Sequence, residues 1–211
     1  MRIFVFYSNT IRTDGKFKDI YYSGRVDIVI HSIIHAFFVS NGLRKNIIFD
    51  LILNGPPDPP RRVKIESNLE TPWSKKDVAS LLSSALKKFN KRREPTYAFP
   101  GVFVEKKDFR GIIEEYRGLG RNIYLLDPNG EFIENIEIKN PVFVVGDFLG
   151  IPKKEKKWLE EFSIKVSLGN IPYFSSQTIM IVNWYLDKIK YFDEYWSTED
   201  KFKDWVKEYK K

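Results

Sequence analysis

An Arg-x-Asp triplet, a second aspartate in a proline-rich loop and two glycine-bearing loops carry the chemistry open to this sequence. Arg25 and Asp27 stand in Gly24-Arg-Val-Asp27, where a long apolar helix pattern begins. A carboxylate there can accept or polarise a proton, and a guanidinium can offset negative charge growing on a carbonyl oxygen. The same aspartate can also serve the helix dipole and nothing more. Asp58 projects from Gly55-Pro-Pro-Asp-Pro-Pro60, ahead of Arg61 and Arg62, in a loop that its prolines stiffen, and is a second candidate carboxylate. Further on, Val142-Phe-Val-Val-Gly-Asp-Phe-Leu-Gly-Ile151 and Ser167-Leu-Gly-Asn-Ile-Pro-Tyr-Phe-Ser-Ser176 each read as a buried strand entering a glycine loop. Gly146, Gly150 and Gly169 let a ligand come close to backbone N–H and C=O groups.

Charge adds a surface for a polyanion. Residues 1–100 hold 17 Lys and Arg against 9 Asp and Glu, and residues 101–211 hold 18 against 19, so the net +7 lies in the first half. Lys87-Lys-Phe-Asn-Lys-Arg-Arg93 places five cations in seven residues at the end of a helix pattern, a position the macrodipole favours on its own account. Lys91, Arg92 and Arg93, joined by Arg61, Arg62 and Lys64, make a patch able to bind RNA phosphates; a solvated lysine-rich surface is the plainer alternative. The absence of cysteine excludes disulfides, thiolate metal sites and a cysteine nucleophile, and it suits a reducing cytoplasm. With only His31 and His35, no metal site is expected. No apolar run reaches the ~18 residues of a membrane span, and Met1–Tyr7 is too short for a signal core. Two look-alikes fall away. Asn170-Ile-Pro-Tyr173 lacks the Gly-x-Gly cofactor loop of a Rossmann-type methyltransferase, and Gly118-Leu-Gly120 precedes a strand instead of following one.

The elements that must position these residues follow from periodicity. Arg2–Tyr7 is a strand, and Arg25–Ser40 is a helix stopped by Asn41-Gly42. Asn46–Asn54 is a buried strand, the proline loop follows, and Arg62–Glu66 is a short strand. Ser74-Lys-Lys-Asp77 resembles a capping box and opens a helix with Val78, Leu81, Leu82, Ala85, Leu86 and Phe89 on one face. Strands at 101–104, 122–126, 142–146 and 164–168 alternate with helices at 108–117 and 154–162, and Pro128-Asn-Gly130 signals a turn. Ser175 or Ser176 caps a helix through Lys188, and Phe202, Trp205, Val206 and Tyr209 recur at helical spacing in the tail. The alternation predicts an α/β fold: one mainly parallel sheet with helices on both faces, and a helical extension at 191–211.

In order and spacing, the Gly24-Arg-Val-Asp27, Gly55–Pro60, 142–151 and 167–176 segments resemble the archaeal tRNA pseudouridine N1-methyltransferases of the SPOUT superfamily. Ala36-Phe-Phe38, Ser84–Phe89, Phe109-Arg110, Asn122-Ile-Tyr124 and Asn129-Gly-Glu131 extend the likeness over roughly residues 2 to 190. The resemblance implies S-adenosylmethionine as methyl donor, a C-terminal trefoil knot, a homodimer and tRNA as partner, with N1 of pseudouridine 54 as the target. It implies Arg25 and Asp27 beside the target base. It also implies cofactor contacts at Leu126, Gly146, Gly150, Ser167, Leu168 and Thr178. Thr178 stands where the family usually has a cysteine; a ring nitrogen attacks through its own lone pair, so N1 methylation stays chemically open. An rRNA substrate, or a non-catalytic RNA-binding or assembly role, remains an alternative at this point.

Overall fold

Strict alternation along the inner strands decides the architecture. In Arg2–Ser8, the side chains of Ile3, Val5 and Tyr7 are buried on one side and those of Phe4 and Phe6 on the other. A strand buried on both faces must lie inside a sheet covered by two layers. The computed structural model describes residues 1–74 and 76–197. In chain order its elements are β1 (Arg2–Ser8), α1 (Val26–Phe37), β2 (Phe38–Val39), β3 (Gly42–Arg44), β4 (Ile47–Leu53), β5 (Arg61–Glu66), α2 (Val78–Lys87), β6 (Thr96–Phe99) and β7 (Val102–Glu105). There follow α3 (Phe109–Gly118), β8 (Asn122–Phe132), β9 (Pro141–Gly146), α4 (Lys153–Glu160), β10 (Ile164–Ser167), α5 (Ser175–Lys188) and β11 (Tyr195–Ser197).

The main sheet runs β10-β8-β9-β1-β4-β5-β7-β6. Strands β10, β8, β9, β1 and β4 are mutually parallel, and β5, β7 and β6 extend the sheet antiparallel. Helices α1, α2 and α5 pack on the Phe4/Phe6 face through Val29, Ile33, Leu82, Ile179 and Val182. Helices α3 and α4 pack on the Ile3/Val5 face through Ile112, Ile113 and Leu159. The mainly parallel α/β sheet with helices on both faces is therefore what the chain forms.

Several local expectations are corrected. Asn41-Gly42 does not stop a helix: α1 ends at Phe37, Phe38 is already extended, and Ser40-Asn41 turns the β2–β3 hairpin. An Asn-Gly pair between β-formers is a hairpin signal as well as a helix stop. The Ser74 hydroxyl bonds the Asp77 carboxylate, and no side chain caps α2. Pro128-Asn-Gly130 lies within β8, where Leu125 and Glu131 pair with the consecutive residues Lys165 and Val166 of β10, so five residues loop out of the ladder. Neither Ser175 nor Ser176 caps α5, which starts after Phe174; the Ser175 hydroxyl donates instead to the Gly146 carbonyl at 2.6 Å. Strand β6 escaped the periodicity reading, and Tyr195–Ser197 pairs with β3 as a strand. Phe202, Trp205, Val206 and Tyr209 lie outside the described residues.

Two buried arginines lock the layers. Arg62 grips Asp50 of β4 through Nε at 2.7 Å and Nη2 at 2.9 Å, and its Nη1 reaches Glu105 and Glu115 at 2.8 and 2.9 Å. The Tyr116 hydroxyl donates to the same Asp50 carboxylate, and burial beside that charge pushes the phenol pKa well up. Arg2 is equally buried: Nε and Nη2 donate to the Tyr191 carbonyl at 3.0 and 2.8 Å, and Nη1 to Asn183 Oδ1 at 3.0 Å. Asn183 in turn donates to the His35 carbonyl at the end of α1, at 3.0 Å. A charge left alone in such a place costs far more than its pair contributes. Asp50→Asn is therefore expected to cost about 3–5 kcal/mol in denaturant unfolding, and Asp50→Leu/Arg62→Leu together less than either leucine change alone.

Candidate active site

Functional side chains gather at the C-terminal edge of the parallel strands, where open α/β sheets place their ligands. The segment after β1 is the hub. Thr10 Oγ1 donates to the Gly24 carbonyl at 3.1 Å, and Gly55 N donates to the Ile11 carbonyl at 3.1 Å. Asn9 binds the loop after β9: its backbone N–H donates to Asp147 Oδ2 at 2.7 Å, and its side-chain amide to Asp147 Oδ1 and the Gly150 carbonyl at 2.9 and 2.8 Å. The Gly24–Asp27 turn and the 146–150 loop are thus tied to one short stretch.

Arg25 takes the left-handed conformation, φ 62° and ψ 47°, just ahead of α1. A non-glycine residue held there stores backbone strain of order 1–3 kcal/mol, and such strain collects at functional sites. The conformation turns its guanidinium back onto Asp27, with Nε–Oδ1 and Nη2–Oδ2 both 2.9 Å. Asp27 is nearly buried while Arg25 stays over a third exposed, so the pair has one sheltered and one open end. The hydrogen bond to Asp27 raises the Arg25 pKa. Arg25 Cζ lies 5.8 Å from the Phe148 ring, which brings the pair beside the 147–150 loop.

That loop borders a cavity of about 350 Å³. Its walls come from Leu125 and the start of the β8 excursion (Leu126 to Pro128), the β9 loop (Gly146, Asp147, Gly150), the β10 loop (Leu168, Gly169, Ile171 to Tyr173) and the first turn of α5 (Ser175, Thr178). At its rim Lys156 pairs with Asp127 at 2.5 Å. Burial works against ionising Asp127, but the Lys156 ammonium and the Asn129 N–H outweigh it and lower its pKa. Gly146 is sterically required: a Cβ there would lie 2.6 Å from the Gly150 carbonyl carbon and 2.7 Å from Ile151 N.

Of the expected cofactor residues, Leu126, Gly146, Gly150, Leu168 and Thr178 line this cavity. Ser167 stands behind it, accepting from Gly169 N at 3.1 Å and so shaping the loop. Asp58 is half exposed and held by Lys106 and Arg61, which lower its pKa. Lys91, Arg92 and Arg93 are exposed beyond α2. Arg61 and Arg62 are not on that patch. Both are 3% exposed or less, Arg62 in its carboxylate network and Arg61 against the Phe89 ring, 3.3 Å from Cζ to centroid. Charge counting located the cations without seeing their burial. The signal for Asn9 and Asp147 is a polar residue just past the C-terminal end of a buried parallel strand.

The family model for SAM-dependent RNA methyltransferases matches residues 1–191. This chain belongs to that family. It is 35% identical over 199 residues to the tRNA (pseudouridine(54)-N(1))-methyltransferase of Methanocaldococcus jannaschii, covering 89% of this chain and 97% of the relative. The enzyme of the same name from Thermococcus kodakarensis is 33% identical over 197 residues, covering 89% and 99%. Among solved structures, Archaeoglobus fulgidus Nep1 bound to S-adenosylhomocysteine shares the fold, with a TM-score of 0.60 at 15% identity over 90% of this chain and 98% of that one.

The residues of this RNA methyltransferase fit a nucleoside-bearing methyl donor. Leu125, Leu126, Val145, Val166 and Leu168 offer apolar walls for a flat base, and the bare backbone at Gly146 and Gly150 offers polar groups at close range. Gly146→Ala is expected to weaken S-adenosylmethionine binding at least tenfold in calorimetry, because the added methyl forces the 150–151 backbone into the cavity.

Proposed function

We propose that this enzyme methylates N1 of the pseudouridine at position 54 of tRNA, as its named relatives do, and works in the cytoplasm as a homodimer with a knotted C-terminal segment. The observation that carries the reading is the Arg25–Asp27 pair standing against the loop that borders the cavity. The course of β10, outside β8, and the return of α5 onto α1 support the knot. Residues 1–190 then form the methyltransferase body and 191–211 an addition to it.

Bound in the cavity, S-adenosylmethionine supplies an electrophilic methyl group on a sulfonium. The chain has to bring the ring nitrogen into line and remove its proton. Alignment alone is worth several kcal/mol of barrier, on the scale of the effective molarities of oriented reactants. Asp27 accepts the N1 proton. Arg25 holds the carboxylate by Nε and Nη2, so its Nη1 is the nitrogen placed to meet a ring carbonyl as negative charge spreads onto it. A nitrogen lone pair attacks carbon directly, so Thr178 needs no nucleophilic sulfur and serves as cavity wall.

Asp27→Asn is expected to lower methylation by roughly two to four orders of magnitude, with donor affinity in calorimetry unchanged; Asp58→Asn, whose carboxylate is already committed to Lys106 and Arg61, should stay close to wild type. Mass spectrometry of nucleosides from tRNA incubated with labelled donor reads both, and an inactive Asp58→Asn with an active Asp27→Asn would move the base to the proline loop. Neutralising Lys91, Arg92 and Arg93 together is expected to reduce the slope of log affinity against log salt by about 2 to 3, near 0.7–0.9 for each phosphate no longer neutralised. An unchanged slope would make that cluster ordinary solvated surface.

A further inference from the structure

The surface around Arg25 exposes rings that a solvated surface does not need. Tyr21, Tyr22 and Phe148 are 57%, 94% and 51% exposed. Neither loop that carries them is slack. The Asp19 carboxylate accepts from Tyr21 N at 2.7 Å and Tyr22 N at 3.0 Å, and Arg25 N donates to the Tyr21 carbonyl at 3.1 Å. Asp147 fixes the other loop, with Oδ1 accepting from Leu149 N at 2.9 Å and its carbonyl from Gly150 N at 2.9 Å. Arg25 Cζ lies 5.8 Å from both the Tyr21 and the Phe148 centroids. Three exposed rings therefore sit on hydrogen-bonded turns, two of them, Tyr21 and Phe148, near one guanidinium, and Phe148 on the loop that borders the cavity.

Rigid exposed rings beside a cation suit the flat faces of unpaired bases. A nucleotide within a stack cannot reach an atom in a cavity, and the energy of leaving the stack has to be recovered from the protein. We propose that Phe148 and Tyr21 hold the extruded target nucleotide at Arg25 and that Tyr22 stacks on a neighbouring base. This rests on the reading of Arg25 and Asp27 as the target-base site. A second protein copy fits less well: interfaces enrich Tyr, Phe and Arg, but they are depleted of Asp, and a copy seated here would cover the Asp27 carboxylate beside the rings. The division of labour is then physical: Lys91, Arg92 and Arg93 attract phosphates in a salt-sensitive way, and the rings bind bases in a salt-insensitive one.

The test uses the full chain and tRNA carrying 2-aminopurine next to the target. Phe148→Ala and Tyr22→Ala are each expected to weaken tRNA binding by roughly tenfold, with the salt slope and the S-adenosylmethionine affinity unchanged. Tyr22→Phe should bind as wild type, since the ring and not the hydroxyl acts, and Tyr22→Ala should abolish quenching of the 2-aminopurine. Wild-type affinity in both alanine variants overturns the proposal. So does an affinity loss that follows dissociation of a protein dimer in sedimentation, which would make the rings a contact between copies. If Asp27→Asn is inactive while the alanine variants bind normally, the stacking surface fails alone. If the alanine variants lose affinity while Asp27→Asn stays active, the rings bind RNA but the target nucleotide lies elsewhere.

Discussion

Everything at the site depends on how closely the chain approaches the peptide group of Thr10. A Cβ on Gly24 would lie 2.5 Å from the Thr10 carbonyl oxygen, and one on Gly55 would meet the same oxygen. Two loops from different parts of the sequence therefore close on a single backbone unit, and only glycine permits it. The next residue toward the N-terminus, Asn9, holds the loop after β9. The Arg25–Asp27 pair and the cavity border are thus registered against one another through about two residues of the loop after β1. Chemistry that loses about a hundredfold for a 1 Å displacement needs that kind of short mechanical chain.

Arg25 pays for part of this arrangement with its own backbone. Its left-handed φ of 62° follows a Gly24 φ of 92°, and together these reverse the chain so that the guanidinium faces a carboxylate two positions later in the helix. Local propensity works against that turn, and the bidentate pair with Asp27 holds it in place. The strain and the ion pair select the same geometry, in which a carboxylate is fixed without being sealed off from a substrate.

What was legible in the sequence was whatever depends on period and on local chemistry. The β-rich alternation of Arg2–Tyr7 marked β1 as a strand, and the glycines at 146, 150 and 169 marked the cavity loops. Long-range partners stayed hidden. Asp50 sits among Ile48 and Ile52 in a strand that reads as apolar, and its reason is Arg62 and Tyr116, 12 and 66 positions away. Arg61 and Arg62 look like solvent cations in a charge count, and only strand pairing shows them turned inward. The Asn41-Gly42 turn and the β8 excursion also depart from the sequence reading. Asn41-Gly42 closes a β2–β3 hairpin where a helix stop was expected, and the β8 excursion is fixed by the pairing of β8 with β10.

The grip of Arg2 on the Tyr191 carbonyl spans 189 positions. During synthesis the guanidinium waits for its acceptor on the order of ten seconds or more at typical elongation rates. Through that interval the basic half of the protein already exists, while Ser175 and Thr178, the final wall of the cavity, do not. A closed cavity thus needs the chain through α5. A ribosome that stops short of α5 leaves a chain that contains Asp27 but lacks the residues that close the cavity.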